Sequence, residues 1–308
     1  MIAVASPARR EAPSREQTRA RYPDSTGTIE RDGVEVFYEV YGAGEPAVVL
    51  VPTWSIVHSR IWKAQIPDLA RRHRVLALDP RGNGRSGRPP TAHAYDETEF
   101  AGDIVAAMDA AGLDRAVLVS LSRGAQRALI AATSNPERVS GLAFIAPALA
   151  LADPHPERAP VARFEAGLDS DAGWATQGVD YWRRAYPAYL EIFFERCFSE
   201  AHSTKHIEDA VGWGTEIGAE GLVLATRGRG TGPRERVLAL TERVRCPVLV
   251  IHGDDDKVIP HAAGAELARV TGGRFVTIHG GGHLPNARQP VLVNLLLREF
   301  VRQVGAAG

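Results

Sequence analysis

Cysteine is almost missing from this 308-residue chain: there are two, Cys197 and Cys246. They form no Cys-x-x-Cys pair and no zinc-ligand set, which excludes a disulfide scaffold and a cysteine-built metal centre. Two buried free thiols in a reducing compartment are the expectation, and the cytoplasm is that compartment. Lysine is equally scarce, with only Lys63, Lys205 and Lys257. Neither sign of charge is in excess, since 36 Lys and Arg against 37 Asp and Glu leave a net charge of −1. That balance argues against nucleic acid or an anionic membrane as partner. No run of about 18 apolar residues occurs, so no spanning helix is expected. The first 27 residues, MIAVASPARREAPSREQTRARYPDSTG, hold no apolar stretch of signal-peptide length. They are polar and rich in Pro, Ser and Arg, and read as a flexible lead-in.

What is present is an ordinary globular composition, 44% hydrophobic and 24% charged. It suits one large domain, or a core with an inserted subdomain. From residue 28 a rhythm sets in. TIERDGVEVFYEVYG alternates polar and apolar residues around Asp32-Gly33 and reads as a hairpin. Short apolar runs then alternate with helical patterns. Strands are expected at 47–52, 74–79, 115–120, 139–147, 247–253 and 274–280. Helices are expected in SRIWKAQIPDLARRH, ETEFAGDIVAAMDAAG, RGAQRALIAATSNP, HAAGAELARVTG and QPVLVNLLLREFVRQV. Continuous apolar strands separated by helices imply a mostly parallel sheet covered on both faces.

The rhythm breaks between 149 and 233. That stretch carries nearly half of the aromatics, including Trp174, Tyr181, Trp182, Tyr186, Tyr189, Phe193, Phe194, Phe198 and Trp213. The spacing of Tyr186, Tyr189, Phe193 and Phe194 is helical. The segment reads as an all-helical cap inserted between two strands. The core is then 28–148 and 234–308. Aromatic stripes usually pack among themselves, but a cap over the carboxyl ends of the strands would also wall a pocket. Tyr181, Trp182, Tyr186 and Phe194 are the candidates to line it.

The chemistry centres on AVLVSLSRGAQRALI, where an apolar strand runs into a helix through Ser120-Leu121-Ser122-Arg123-Gly124. A nucleophile on so sharp a turn needs small residues two positions to either side, the role of glycine in Gly-x-Ser-x-Gly. Only Ser122 is flanked that way, by Ser120 and Gly124. A serine nucleophile needs a base, and the base an orienting acid. In such sheets they follow in the order Ser, acid, His, each after a later strand. PVLVIHGDDDKVIP offers Asp254, Asp255 and Asp256 after one strand; RFVTIHGGGHLPNARQP offers His283 after the next.

Residues 28–304 resemble the α/β-hydrolase superfamily, in particular members with a helical cap. The resemblance rests on VFYEVYG in the hairpin, VVLVPTW, the serine elbow, HGDDDKVIP with GGGHLPNARQP, and LALDPRGNGRSGRP, which is similar to the family's D-x-R-G-x-G-x-S-x-x-P. It implies an α/β-hydrolase fold. It places the nucleophile at Ser122, the base at His283 and the acid at Asp256, with Asp254 and Asp255 as rivals and Asp153 as a further alternative. It places the oxyanion hole on the backbone amides of Arg123 and Trp54. Here the sequence departs from the family, reading Pro52-Thr53-Trp54 where His-Gly-x is common. The Arg123 side chain either enters the pocket to meet a substrate carboxylate or carbonyl, or leaves to pair with a carboxylate elsewhere.

The implied activity is hydrolysis of a carboxylic ester, lactone or thioester with an apolar portion, without metal or organic cofactor. C–C bond hydrolysis, perhydrolysis and natural-product cyclisation use the same triad, and a non-catalytic ligand receptor on this scaffold is a further alternative. A monomer or homodimer acting on a small molecule is the expectation. Two patterns are set aside. RGRGTGP (227–233) lacks the Gly-Lys-Ser/Thr of a phosphate loop, and His202 with His206 lack a third metal ligand.

Overall fold

The structure is a computed structural model that describes residues 19–158, 164–165, 171 and 173–307. Eight strands form one sheet: β1 (Ser25–Arg31), β2 (Val34–Tyr41), β3 (Ala47–Leu50), β4 (Val75–Leu78), β5 (Ala116–Leu121), β6 (Val139–Ile145), β7 (Val248–Gly253) and β8 (Arg274–Ile278). Their order is β1-β2-β4-β3-β5-β6-β7-β8. β1–β2 and β2–β4 pair antiparallel, and from β4 to β8 every pairing is parallel. The hairpin turns where expected, because Asp32 and Gly33 both take positive φ, 53° and 75°, as a two-residue I′ turn requires.

Every residue of β3, β4 and β5 is buried, so alternate side chains feed two cores. Val48, Leu50, Val117 and Val119 face one layer with Trp62, Leu297 and Val301. Val49, Leu76 and Leu118 face the other with Ile104 and Leu129. The helices are α1 (Ile66–Leu69), α2 (Glu97–Ala110), α3 (Gly124–Ser134), α4 (Val179–Cys197), α5 (Thr204–Thr215), α6 (Gly218–Arg227), α7 (Arg234–Thr241), α8 (His261–Thr271), α9 (Pro285–Arg288) and α10 (Pro290–Ala307). α4, α5 and α6 fall within the segment where the rhythm broke; residues 159–163, 166–170 and 172 of it lie outside the described residues. Among the described residues no helix is long and apolar enough to cross a membrane.

Two expectations need correction. SRIWKAQIPDLARRH is not one amphipathic helix but a 3-10 turn, Ser59–Trp62, followed by the single turn of α1. Pro67 has no amide to donate four residues back and restricts Ile66, so the apolar spacing could not be read out as a continuous helix. The lead-in also ends earlier than residue 27, since Ser25, Thr26 and Gly27 pair with Val40, Glu39 and Tyr38. Residues 1–18 of that lead-in lie outside the described residues.

The loop after β4 positions what lies above it. Asp79 Oδ1 accepts from the Ser59 amide at 3.1 Å and Oδ2 from the Arg85 amide at 3.0 Å. A Cβ on Gly84 would come within 2.4 Å of that carboxylate, so the close approach needs glycine. Asn83 Nδ2 donates to Ser55 O at 2.8 Å and to Trp213 O at 3.1 Å. It thereby ties the loop after β3 to α5.

Candidate active site

The chain crosses from β4 to β5 on opposite sides of β3, the reversal at which parallel sheets open a crevice above their carboxyl ends. Ser122 stands there, between β5 and α3, with φ of 51°. That conformation is costly for a residue with a side chain. It is held by the Ser122 amide donating to Ile145 O at 2.9 Å and its carbonyl accepting from Ala148 N at 3.0 Å. Small neighbours are needed for the reason read from the sequence: a Cβ on Gly124 would approach Pro52 O to 2.8 Å. Ser120 is sealed in the sheet, its hydroxyl 3.4 Å from Ala143 O.

His283 reaches Ser122 from the loop after β8. Its Nε2 lies 2.9 Å from Ser122 Oγ and its Nδ1 2.7 Å from Asp256 Oδ2. With Nδ1–H donating to the carboxylate, Nε2 is left to accept from the serine hydroxyl. The His283 amide donates to Cys197 O at 3.0 Å, which anchors the loop to the end of α4. Asp256, in the loop after β7, is 3% exposed. Its Oδ1 accepts from the Val258 and Ile259 amides at 2.7 and 2.9 Å. Burial alone would raise this carboxyl. Electrostatic attraction to the His283 ring and hydrogen bonds from His252 and His283 instead hold it well below the usual carboxylate range.

His252, which the sequence reading did not single out, is the additional member. It is fully buried at the end of β7, with Nε2 3.0 Å from Asp256 Oδ2. Its Nδ1 has no partner among the described residues. That assigns the proton to Nε2 and makes His252 a second donor to the same carboxylate oxygen. The one available signal was a histidine inside the apolar run VLVIHG, where a buried imidazole needs a partner.

The rivals lie elsewhere. Asp254 accepts from the Gly280 amide at 2.7 Å and faces His279 at 2.9 Å on the surface. Asp255 pairs with Lys257, and Asp153 is exposed. Arg123 turns away from the crevice: its Nε donates to Glu97 and its Nη2 to Gly228 O at 3.2 Å. The amides of Trp54 and Arg123 donate to no acceptor among the described residues.

The structure brings only Trp182 of the four expected pocket aromatics to Trp54, with ring centroids 6.0 Å apart. Phe193 meets Trp54 edge-on at 5.5 Å and takes a place the sequence did not assign. Tyr181 lies under Arg184 at 4.8 Å, Tyr186 donates to Gly214 O at 2.8 Å, and Phe194 packs on Phe193 at 5.3 Å. Helical spacing marks a face but does not say which of its rings reaches Trp54, and α4 is kinked. There Ala185 leaves helical geometry two residues before Pro187. Both cysteines are free; Cys197 is buried and Cys246 half-buried. Among the described residues no group of three or more His, Cys, Asp or Glu could hold a metal ion.

Comparison with known proteins agrees with this architecture. The model of the α/β-hydrolase fold family matches residues 46–288, and the chain belongs to that family. A non-heme haloperoxidase from Rhodococcus erythropolis is 25% identical over 268 residues, which is 77% of this chain and 84% of that protein. A thermophilic esterase from Thermogutta terrifontis, solved with malate bound, aligns with a TM-score of 0.75 at 26% identity, over 91% of this chain and 99% of its own. The enol-lactonase from Burkholderia xenovorans LB400 shares the fold, with a TM-score of 0.74 at 21% identity over 90% of this chain and 100% of that one.

Proposed function

We propose that this protein is a serine hydrolase that cleaves a carboxylic ester, lactone or thioester through an acyl-enzyme. One observation carries the reading: Ser122 Oγ, the His283 ring and the Asp256 carboxylate form an unbroken chain of contacts at 2.9 and 2.7 Å on a strained strand-to-helix turn. His283 takes the Ser122 proton as the oxygen attacks the substrate carbonyl. The Trp54 and Arg123 amides, with no acceptor of their own among the described residues, receive the oxyanion. The imidazolium then protonates the leaving oxygen or sulfur, and in the second half-reaction His283 activates water against the acyl-enzyme. Asp256 stabilises the imidazolium in both halves. The helices α4 to α6 act as the cap, and the Trp54–Trp182–Phe193 cluster favours a substrate with an apolar portion.

The haloperoxidase relative supports a second reading on the same machinery. Hydrogen peroxide in place of water would release a peroxycarboxylic acid from the acyl-enzyme. Both readings require Ser122 to be acylated. A fluorophosphonate should label the wild type at Ser122 alone, and Ser122→Ala should abolish labelling. It should also lower kcat on nitrophenyl esters by about 10⁶-fold while leaving the fold intact. A wild type that neither labels nor turns over ester ends this reading. Addition of peroxide to a turning-over assay, with monochlorodimedone and bromide as reporter, separates the two acyl acceptors.

A further inference from the structure

Beneath the two proposed oxyanion donors lies a buried ion network that the reaction scheme does not use. Arg127, on the first turns of α3, is 1% exposed. Its Nη1 donates to Pro52 O at 3.1 Å and to Thr53 O at 2.6 Å. Its Nε donates to Glu97 Oε2 at 2.7 Å, and its guanidinium lies 3.4 Å over the Phe100 ring. Glu97, also 1% exposed, uses its other oxygen to accept from Arg123 Nε. One carboxylate thus joins the residue that follows the nucleophile to the guanidinium under the β3 loop.

The Thr53–Trp54 peptide is trans, since the one cis bond among the described residues is Glu45–Pro46. In a trans peptide the carbonyl and the amide hydrogen lie in one plane and point in opposite directions. Arg127 grips the Thr53 carbonyl, the other end of the very unit whose N–H belongs to Trp54. Holding that oxygen from the α3 side therefore aims the Trp54 amide away from α3, with no contact to the amide itself. The Pro52 carbonyl is held too, between Arg127 and the Cα of Gly124, where a Cβ would stand 2.8 Å away.

We propose that Arg127 and Glu97 are positioning residues of the oxyanion hole: Arg127 sets the plane of the Thr53–Trp54 peptide, and Glu97 locks it to the elbow through Arg123. This rests on the hydrolase reading above. It also answers the departure noted in the sequence. A loop reading Pro52-Thr53-Trp54 lacks the His-Gly common in the family, and the guanidinium supplies the anchor. A core salt bridge kept for stability alone is the weaker account, because desolvation offsets most of what a fully buried ion pair contributes. A planar guanidinium fork contributes direction instead, and two neighbouring carbonyls are what it holds here.

The test uses Arg127→Met, which keeps most of the volume and removes every donor, with Arg127→Lys as the conservative partner. Active enzyme is counted by fluorophosphonate titration, so kcat is read per competent site and unfolding is discounted. Arg127→Met should lower kcat by about 10²-fold, the usual cost of misplacing a catalytic group by about 1 Å. KM should stay within roughly twofold. Affinity for a trifluoromethyl ketone analogue should fall in step with kcat, and Arg127→Lys should recover part of both. Backbone hydrogen exchange at Val57, whose amide donates to Trp54 O at 3.2 Å, should quicken at least tenfold, to order of magnitude, in Arg127→Met. Should that variant fail to fold, Glu97→Gln is read by the same measurements. A folded variant with wild-type kcat per site and wild-type Val57 exchange overturns the proposal. If the wild type does not acylate at all, the hydrolase reading falls, and Val57 exchange still decides whether Arg127 holds the loop.

Discussion

Asp256 Oδ2 receives two imidazole N–H groups, from His283 at 2.7 Å and His252 at 3.0 Å. The two contacts have different consequences. His283 moves a proton in the proposed cycle, whereas His252 is sealed and holds the acceptor still. Asp256→Asn should keep the shape but present an amide hydrogen or the wrong tautomer to His283, lowering kcat by about 10⁴-fold in steady-state assays. His252→Phe should leave the Ser122–His283 contact in place. It should cost about 1.5–3 kcal/mol in urea unfolding, the range for a lost hydrogen bond to a charged group. At this scale Ser122 was legible, because the small residues around it are local in the chain. Asp256 was not separable from Asp254 and Asp255 without the family resemblance. Only the fold shows that Asp256 alone receives the Val258 and Ile259 amides and the two rings. His252 left only the faint signal of a histidine in an apolar strand, and Arg127 none, since an arginine in an amphipathic helix usually faces solvent.

The elements meet at glycines that leave no room for a side chain. Gly253, at the end of β7, faces the loop after β8 so closely that a Cβ would stand 2.0 Å from Gly281 O and 2.5 Å from Gly282 O. These are backbone atoms, so Gly253→Ala must drive the acid loop and the histidine loop apart. Unfolding should be easier by roughly 1–3 kcal/mol. The Asp256–His283 contact should also lengthen, with kcat falling about 10²-fold; calorimetry and kinetics on one preparation check both. Element type was readable wherever apolar runs were continuous, as in β3 to β7. It failed at α1, where Pro67 interrupts a spacing that looked helical. Nor does helical spacing say which ring of α4 reaches Trp54: it is Phe193, and not Tyr186 or Phe194, although all three lie on the same side of the break at Ala185.

Across the whole molecule, β2 is tied to the segment after β3 by Glu39. It pairs with Arg60 through contacts of 2.8 and 2.9 Å, accepts from Tyr41 at 2.6 Å, and also pairs with Arg19. Burial alone would raise its carboxyl, but hydrogen bonds from Arg60 and Tyr41 bring it down to about 2 from an ordinary 4.5. Between those values the unfolded chain binds a proton that the folded chain does not. The contribution to stability is therefore complete above the ordinary value and is lost as pH falls toward the folded one. Urea midpoints from neutral pH down to about pH 2.5 should fall less steeply in Glu39→Gln than in wild type. The variant should also start lower at neutral pH, because Arg60 is left buried without its carboxylate.

The amino-acid sequence by itself determined the α/β architecture and the turn that carries Ser122. Periodicity, turn residues and steric limits at an elbow act within a few positions, so they are written locally. It also held all three members of the proposed triad in their chain order. Tertiary structure alone decided which aspartate faces His283, which aromatic rings meet Trp54, and that Glu97 and Arg127 lie under the oxyanion loop. Each of those depends on bringing together residues far apart in the chain. Side-chain direction and burial, which no short window encodes, choose among chemically equivalent candidates.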